Sequence, residues 1–418
     1  MVGKLLRICG ILVLLGLLAL GATAGVLWVL GPPTYEGYAP EAFVLDAEGD
    51  PAVGKRLVEL TCVRCHYDPE TDTLAGRSLA PSYAALGAAY ASNITRDEVR
   101  GIGEWSDEAL VMLLRSGVHP QRKTLLPPSM PFLPNIADVD LAHVVAYLRS
   151  DDAWVAPERK ADPRGQLGFS AVLAAWLQWK PGADRAALVL RPEEAEPVAL
   201  GGYLANDLLQ CHGCHSASLT KVDWVVPADT PGFYAGGAEL RDLAGNRIVA
   251  PGLSAREDGG LGGWSYEAFR RALTEGVGPE GDVLRWPMPR YTALTEGELT
   301  ALYAYFETLP AAAKAPKRPD PYEVSPAIVD PGRHTFERLG CPSCHVADAE
   351  GELGLGSIVE RFPDDAALAG YVSDPRSVDP GAWMPAYGHL IDDAQMAELV
   401  EYLRRRVERG PYAPPPKE

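Results

Sequence analysis

Cysteine and methionine are both scarce in this 418-residue chain, at seven and six residues. Basic residues are a minority: 38 Lys and Arg stand against 56 Asp and Glu, a formal net charge of -18. A chain this acidic lacks the basic face that a phosphate backbone requires, which argues against nucleic-acid binding. Its acidic surface suits a basic partner whose approach it would steer. Charge is also missing from one long, strongly apolar run, from Ile8 to Gly31. What is plentiful is glycine (42) and proline (37), which predicts many turns and long connections rather than a helical bundle. The length exceeds one ordinary core and predicts about two to four domains.

The apolar run follows Lys4 and Arg7. Its 24 residues make a helix of about 36 Å at 1.5 Å per residue, enough to cross a bilayer core. The positive flank keeps the N-terminus in the cytoplasm and sends the rest of the chain across. Ala22-Thr23-Ala24 resembles a small-residue cleavage site. The run continues past it through Val26-Leu27-Trp28-Val29-Leu30, which favours a retained anchor over a removed signal peptide. Cys9 lies at the start of the run, whereas a lipid-attachment cysteine sits at its end, so Cys9 reads as a plain membrane-facing residue.

The other six cysteines form three pairs of one pattern: Cys62-Val63-Arg64-Cys65-His66, Cys211-His212-Gly213-Cys214-His215 and Cys341-Pro342-Ser343-Cys344-His345. C-x-x-C-H is the attachment signature of c-type haem. Two thiols add to the two vinyl groups of one porphyrin, and the histidine that follows offers its imidazole to the iron. A zinc ribbon uses such pairs in twos to close a four-ligand site, and three pairs do not divide that way. A redox dithiol needs one pair and no histidine. Three of the six methionines precede proline downstream of a motif: Met130-Pro131, Met288-Pro289 and Met384-Pro385. A thioether on a proline-stiffened loop suits the sixth iron position and raises the potential relative to two histidines. Met130, Met288 and Met384 are therefore the candidate partners of His66, His215 and His345, with His389 a nearby rival in the third unit. His119, His143 and His334 read as surface or partly buried residues, and His212 as pointing away from the iron.

The motif repeats because a unit repeats. Each unit opens with a helix carrying glycine eight to ten residues before its first cysteine, at Gly54, Gly201 or Gly202, and Gly332. Each closes with an amphipathic helix, from Asp138, Thr295 and Asp392 as caps, bearing Tyr147, Tyr305 and Tyr402. The glycine admits the aromatic where the two helices cross. Gly101-Ile102-Gly103-Glu104-Trp105-Ser106 in the first unit matches Gly260-Leu261-Gly262-Gly263-Trp264-Ser265 in the second, and the third is read as lacking this insert. The expected fold is mainly α, with three tandem cytochrome c-like haem domains after an N-terminal transmembrane helix. The expected layout is an anchor or signal segment at 1–31 and haem domains at 45–150, 197–310 and 328–408. A linker at 151–196 contains the apolar stretch Phe169 to Trp179, and a disordered tail covers 409–418.

The string from Asn93-Ile94-Thr95 to Ser106, the connector from Phe169 to Trp179, and Gly201-Gly202-Tyr203-Leu204 before the second motif carry a resemblance. The chain resembles the triheme cytochrome c subunit of membrane-bound alcohol and gluconate dehydrogenases over roughly residues 50 to 408. The resemblance implies three covalently bound haem c groups and electrons taken from a dehydrogenase catalytic subunit. Those electrons pass to ubiquinone or to a downstream oxidase. It places the haem domains on the periplasmic side of the inner membrane. Family members are exported with a cleaved signal and attach through the C-terminal region, whereas here the apolar segment is N-terminal and the tail is polar. An alternative class is a haem enzyme, peroxidase-like or sulfur-oxidising, with one open iron site. Three Met-Pro loops and the lack of a spare exported cysteine argue against it. A third class is an assembly role, docking a dehydrogenase to the membrane.

Overall fold

The computed structural model describes residues 2–68, 71–79, 87–88, 90–127, 129–160, 166–185, 187–241, 247–255, 260–281, 283–285, 287–311, 328–343, 345, 359–378, 382 and 384–408. The expected tail at 409–418 lies outside them. The described structure is mainly helical. Helix α1 (Val2–Leu30) is long and apolar enough to cross a membrane, with a mean hydropathy of 2.4 in its best window. The strands are short: β1 (Gly87–Ala88) pairs antiparallel with β2 (Gln166–Leu167), and β3 (Glu239–Arg241) with β4 (Arg247–Val249).

Three helix pairs organise the rest: α2 (Pro51–Thr61) with α5 (Asp138–Leu148), α7 (Pro197–Tyr203) with α10 (Glu296–Thr308), and α11 (Pro331–Arg338) with α13 (Asp393–Glu408). In each pair a glycine lies against the partner helix. A Cβ on Gly54 would sit 2.8 Å from Tyr147 Cβ and closer still to the His143 carbonyl oxygen. On Gly201 it would sit 2.8 Å from Tyr305 Cβ, and on Gly332 2.6 Å from Tyr402 Cβ. Gly202 instead faces the Tyr305 ring, so Gly201 is the crossing residue of the second unit. The tyrosine ring lies beside the crossing in all three pairs.

The helices start where local chemistry pays little to begin them. Asp50 and Asp330 cap α2 and α11, each followed by proline in the first turn, where its missing N–H costs nothing. Thr295 and Glu298 form a capping box on α10, and Asp392 and Gln395 exchange the same pair of bonds at α13. Asp138 does not cap α5, contrary to expectation. Ala137 occupies that position, and the Asp138 carboxylate pairs with Arg115. The Arg115 guanidinium is buried, so an opposed charge there outweighs one satisfied backbone N–H.

The first two units share one apolar cluster, and the third has its own. The join between the first two is pseudo-symmetric. Two residues after Gly54, Arg56 reaches Glu298 at 2.7 Å, at the third position of α10. Two residues after Gly201, Tyr203 donates to Asp140 at 2.7 Å, at the third position of α5. Arg191 bridges Asp140 and Glu298, both of them buried. Residues 151–160 strap the first unit, with Trp154 and Val155 buried and Leu74 N–H donating to the Trp154 carbonyl. The third unit touches the others through Arg376, which pairs with Glu59, and His389, 3.6 Å from Glu275.

Between α7 and the second motif, Leu204–Leu208 forms a π-turn carrying Asp207. Burial pushes the Asp207 carboxyl up to about 6, while the Asn135 amide at 3.0 Å favours its ionised form. A carboxyl raised in the folded state stabilises below its unfolded value near 4, and that contribution is lost as pH rises through about 6. The protein is therefore expected to gain on the order of 2 kcal/mol of stability from this group between pH 7 and pH 4. Thermal melts of Asp207→Asn should lack that part of the pH dependence. Gly201→Ala is expected to cost ~3 kcal/mol or to block folding, because its Cβ meets backbone rather than a yielding side chain. Urea titration beside an alanine at the unobstructed Gly370 checks this.

Candidate functional site

The three C-x-x-C-H segments form the same helical turn. The histidine N–H donates to the first cysteine carbonyl in each: His66 to Cys62 and His215 to Cys211 at 2.9 Å, and His345 to Cys341 at 2.8 Å. This winding puts the two thiols and the imidazole of a motif on one side of a short helix, α3 (Val63–His66) in the first unit and α8 (His212–His215) in the second. Cys344 lies outside the described residues. Cys62, Cys65, Cys211, Cys214 and Cys341 are not joined in disulfides, and no group of three or more His, Cys, Asp and Glu among the described residues is placed to hold a metal ion. Burial pushes the Cys62 thiol up to about 11 and Cys211 up to about 12, so both stay protonated at neutral pH.

His66 Nδ1 lies 2.7 Å from the Ser92 carbonyl, and His215 Nδ1 2.8 Å from the Pro251 carbonyl. A carbonyl only accepts, so each Nδ1 carries the proton, and each Nε2 keeps its lone pair for a metal. Burial lowers the pKa of both histidines, which keeps them neutral. The loops that supply these carbonyls match bond for bond. Gly76 N–H donates to the His66 carbonyl and Gly236 N–H to the His215 carbonyl, both glycines with φ near +80°. Ile102 N–H donates to Thr95 and Leu261 N–H to Ser254. The second-unit counterpart of Asn93-Ile94-Thr95 is therefore Gly252-Leu253-Ser254. Asn93 is buried, accepting from Thr95 and donating to the Glu158 carbonyl.

The methionine loops also match. Leu126 N–H bonds the Gly117 carbonyl and Leu284 the Gly276 carbonyl; Met130 bonds Pro127 and Met288 bonds Arg285. Three residues after the methionine, Leu133, Tyr291 and Tyr387 bond Leu114, Leu273 and Val372 on the preceding helix. Those helices are α4 (Asp107–Ser116), α9 (Tyr266–Thr274) and α12 (Asp365–Ser373), begun by Ser106, Ser265 and Asp364 as caps. Met130 and Met288 are partly buried on the same cluster as Cys62 and Cys211. In the third unit Met384 shares an apolar cavity with Cys341 and His345, walled by Phe336, Leu368 and Leu399. His389, the rival, is exposed and turned toward Glu275.

The third unit does not lack the loop built around Trp105. The Arg149 guanidinium donates to the Ile102 and Trp105 carbonyls and pairs with Asp107. Arg404, also two residues past its tyrosine, donates to the Val359 and Phe362 carbonyls and pairs with Asp365. Phe362 thus replaces tryptophan. In the second unit Tyr303 holds the Trp264 carbonyl at 2.9 Å. Trp105 packs against His119, whose pKa burial lowers to about 4. His212 is buried against Trp224, His143 accepts from the Asp50 N–H, and His334 is exposed.

No family model matches the chain. Over 409 residues it is 26% identical to the gluconate 2-dehydrogenase cytochrome c subunit of Pantoea cypripedii, covering 87% of each protein. It is 26% identical over 377 residues to the cytochrome c subunit of the alcohol dehydrogenase (quinone) of Gluconobacter oxydans strain 621H, covering 82% of this chain and 75% of that one. The fructose dehydrogenase cytochrome subunit of Gluconobacter japonicus is 24% identical over 389 residues, with 82% and 76% covered. This chain is a relative of dehydrogenase cytochrome c subunits.

Cytochrome c relatives imply covalently bound haem c, and the donor set of this chain fits it: paired thiols, an imidazole with Nε2 available, and a thioether on a braced loop. The arginine brace is expected to matter for the loop it holds. Arg149→Lys loses the forked geometry and should cost ~2 kcal/mol. Arg185→Lys, at an exposed pair with its neighbour Asp184, should stay within about 0.5 kcal/mol. Urea denaturation of the two variants makes the comparison.

Proposed function

We propose that this chain is a membrane-anchored electron-transfer subunit carrying three haem c groups. Cys62 and Cys65, Cys211 and Cys214, and Cys341 and Cys344 hold them, with His66 and Met130, His215 and Met288, and His345 and Met384 as the axial pairs. Bound haem c supplies one-electron iron chemistry; the polypeptide supplies ligands, burial and spacing. The observation that carries the reading is the third-unit cavity, where Cys341, His345 and Met384 line one apolar space. The repeated backbone pattern extends it to the other two units. Electrons enter from a dehydrogenase catalytic subunit, as the relatives' names suggest, and leave to quinone or another acceptor. The α1 helix anchors the chain in the inner membrane with the three units on the periplasmic side.

Pyridine haemochrome quantitation of the detergent-extracted protein should give three haems per chain, with the weak near-infrared methionine-to-iron band. Met288→Ala should lose about one third of that band, lower one midpoint potential and admit carbon monoxide at one site, since a thioether ligand raises potential and closes the sixth position. A parent protein with fewer haems, or one that already binds carbon monoxide, sinks the reading.

A further inference from the structure

The last turn of α1 is held by a second apolar helix, α6 (Phe169–Leu177), which contains no charged residue. The Trp28 and Phe169 rings meet at a centroid separation of 5.9 Å. Trp176 Nε1–H donates to the Gly31 carbonyl at 2.7 Å, at the point where α1 ends. Ala171, Val172 and Ala175 are the buried side of α6. Phe169, Trp176 and Leu177 face outward and are 48%, 41% and 68% exposed. Positions 169 and 176 lie two turns apart on one side of the helix. This face continues the surface of α1, where Val26, Val29 and Leu30 are themselves exposed. Nine residues are too few to cross a bilayer.

We propose that α6 lies in the headgroup region of the leaflet from which α1 emerges and is a second membrane contact of this chain. The occupant of its outer face is phospholipid. A protein covering it would have to displace the lipid that surrounds the last turn of α1. Tryptophan at the level of the headgroups and an exposed lysine beyond the helix, Lys180, suit that depth. The contact orients the first unit. Just after α6, Gly182 N–H donates to the Ser116 carbonyl at 2.9 Å and the Gly182 carbonyl accepts from Tyr38. The unit is thus tied to the surface at the end of α4 instead of swinging on residues 32–50.

The inference rests on α1 being inserted, and the test separates the two. Full-length protein is reconstituted in phosphatidylcholine–phosphatidylglycerol vesicles with benzoylphenylalanine at one position, then irradiated. Leu177→benzoylphenylalanine should give a lipid adduct comparable with that at Val29, and Val99, exposed on a charged loop, should give none. An adduct at 29 but none at 177, or one at 177 to protein, overturns the role of α6 while leaving the anchor intact. No lipid adduct at 29 removes the anchor itself, and this inference with it. Trp176→Asp should abolish the adduct at 177 and preserve the one at 29.

Discussion

Everything in this molecule depends on how closely two helices can approach at a crossing. At Gly54, Gly201 and Gly332 a hydrogen atom stands where any side chain would strike a carbonyl of the partner helix. That approach fixes the angle between the helix leading into a C-x-x-C-H turn and the helix leading away from a methionine loop. The tyrosine next to each crossing fills the space beside the glycine. Interiors packed to this density transmit displacement rather than absorb it, so a shift at the crossing would move a unit's C-x-x-C-H turn relative to its methionine loop.

Around the crossing, backbone groups do the aiming. The carbonyls of Ser92 and Pro251 choose the tautomer of the two histidines, and they are held by loops whose glycines adopt left-handed backbone. The forks of Arg149 and Arg404 brace the loop before the methionine helix in the first and third units. The second unit uses the Tyr303 hydroxyl instead, so one structural need is met by two chemistries.

What could be read from letters was whatever rests on a side chain at a fixed spacing. The cysteine pairs, the trailing histidines, the Met-Pro dipeptides and the glycine-to-tyrosine pairing all belong to that kind. The apolar N-terminal run and the mainly helical fold were equally plain. Illegible were contacts made by backbone or by distant partners. Ser92 and Pro251 act through carbonyls that every residue has. Asp138 looked like a cap because its letter favours caps, but Arg115, buried 23 positions earlier, claims it. The third unit looked truncated because Phe362 stands where tryptophan marks the first two. Arg404 would have revealed the match through its offset from Tyr402, the same as that of Arg149 from Tyr147.

The pseudo-symmetric join between the first two units lies within one chain. Two separate proteins meeting through Asp140, Glu298, Arg56 and Arg191 would have to offset the loss of translational freedom as well as the dehydration of four charges. Here the tether through residues 151–196 keeps the two halves at a high effective concentration, so closure costs the ordering of that connection instead. An interface can then remain charged at its centre and still stay shut. Freed from the need to be sticky, its two halves can diverge, as Arg56 and Tyr203 have, without the molecule coming apart.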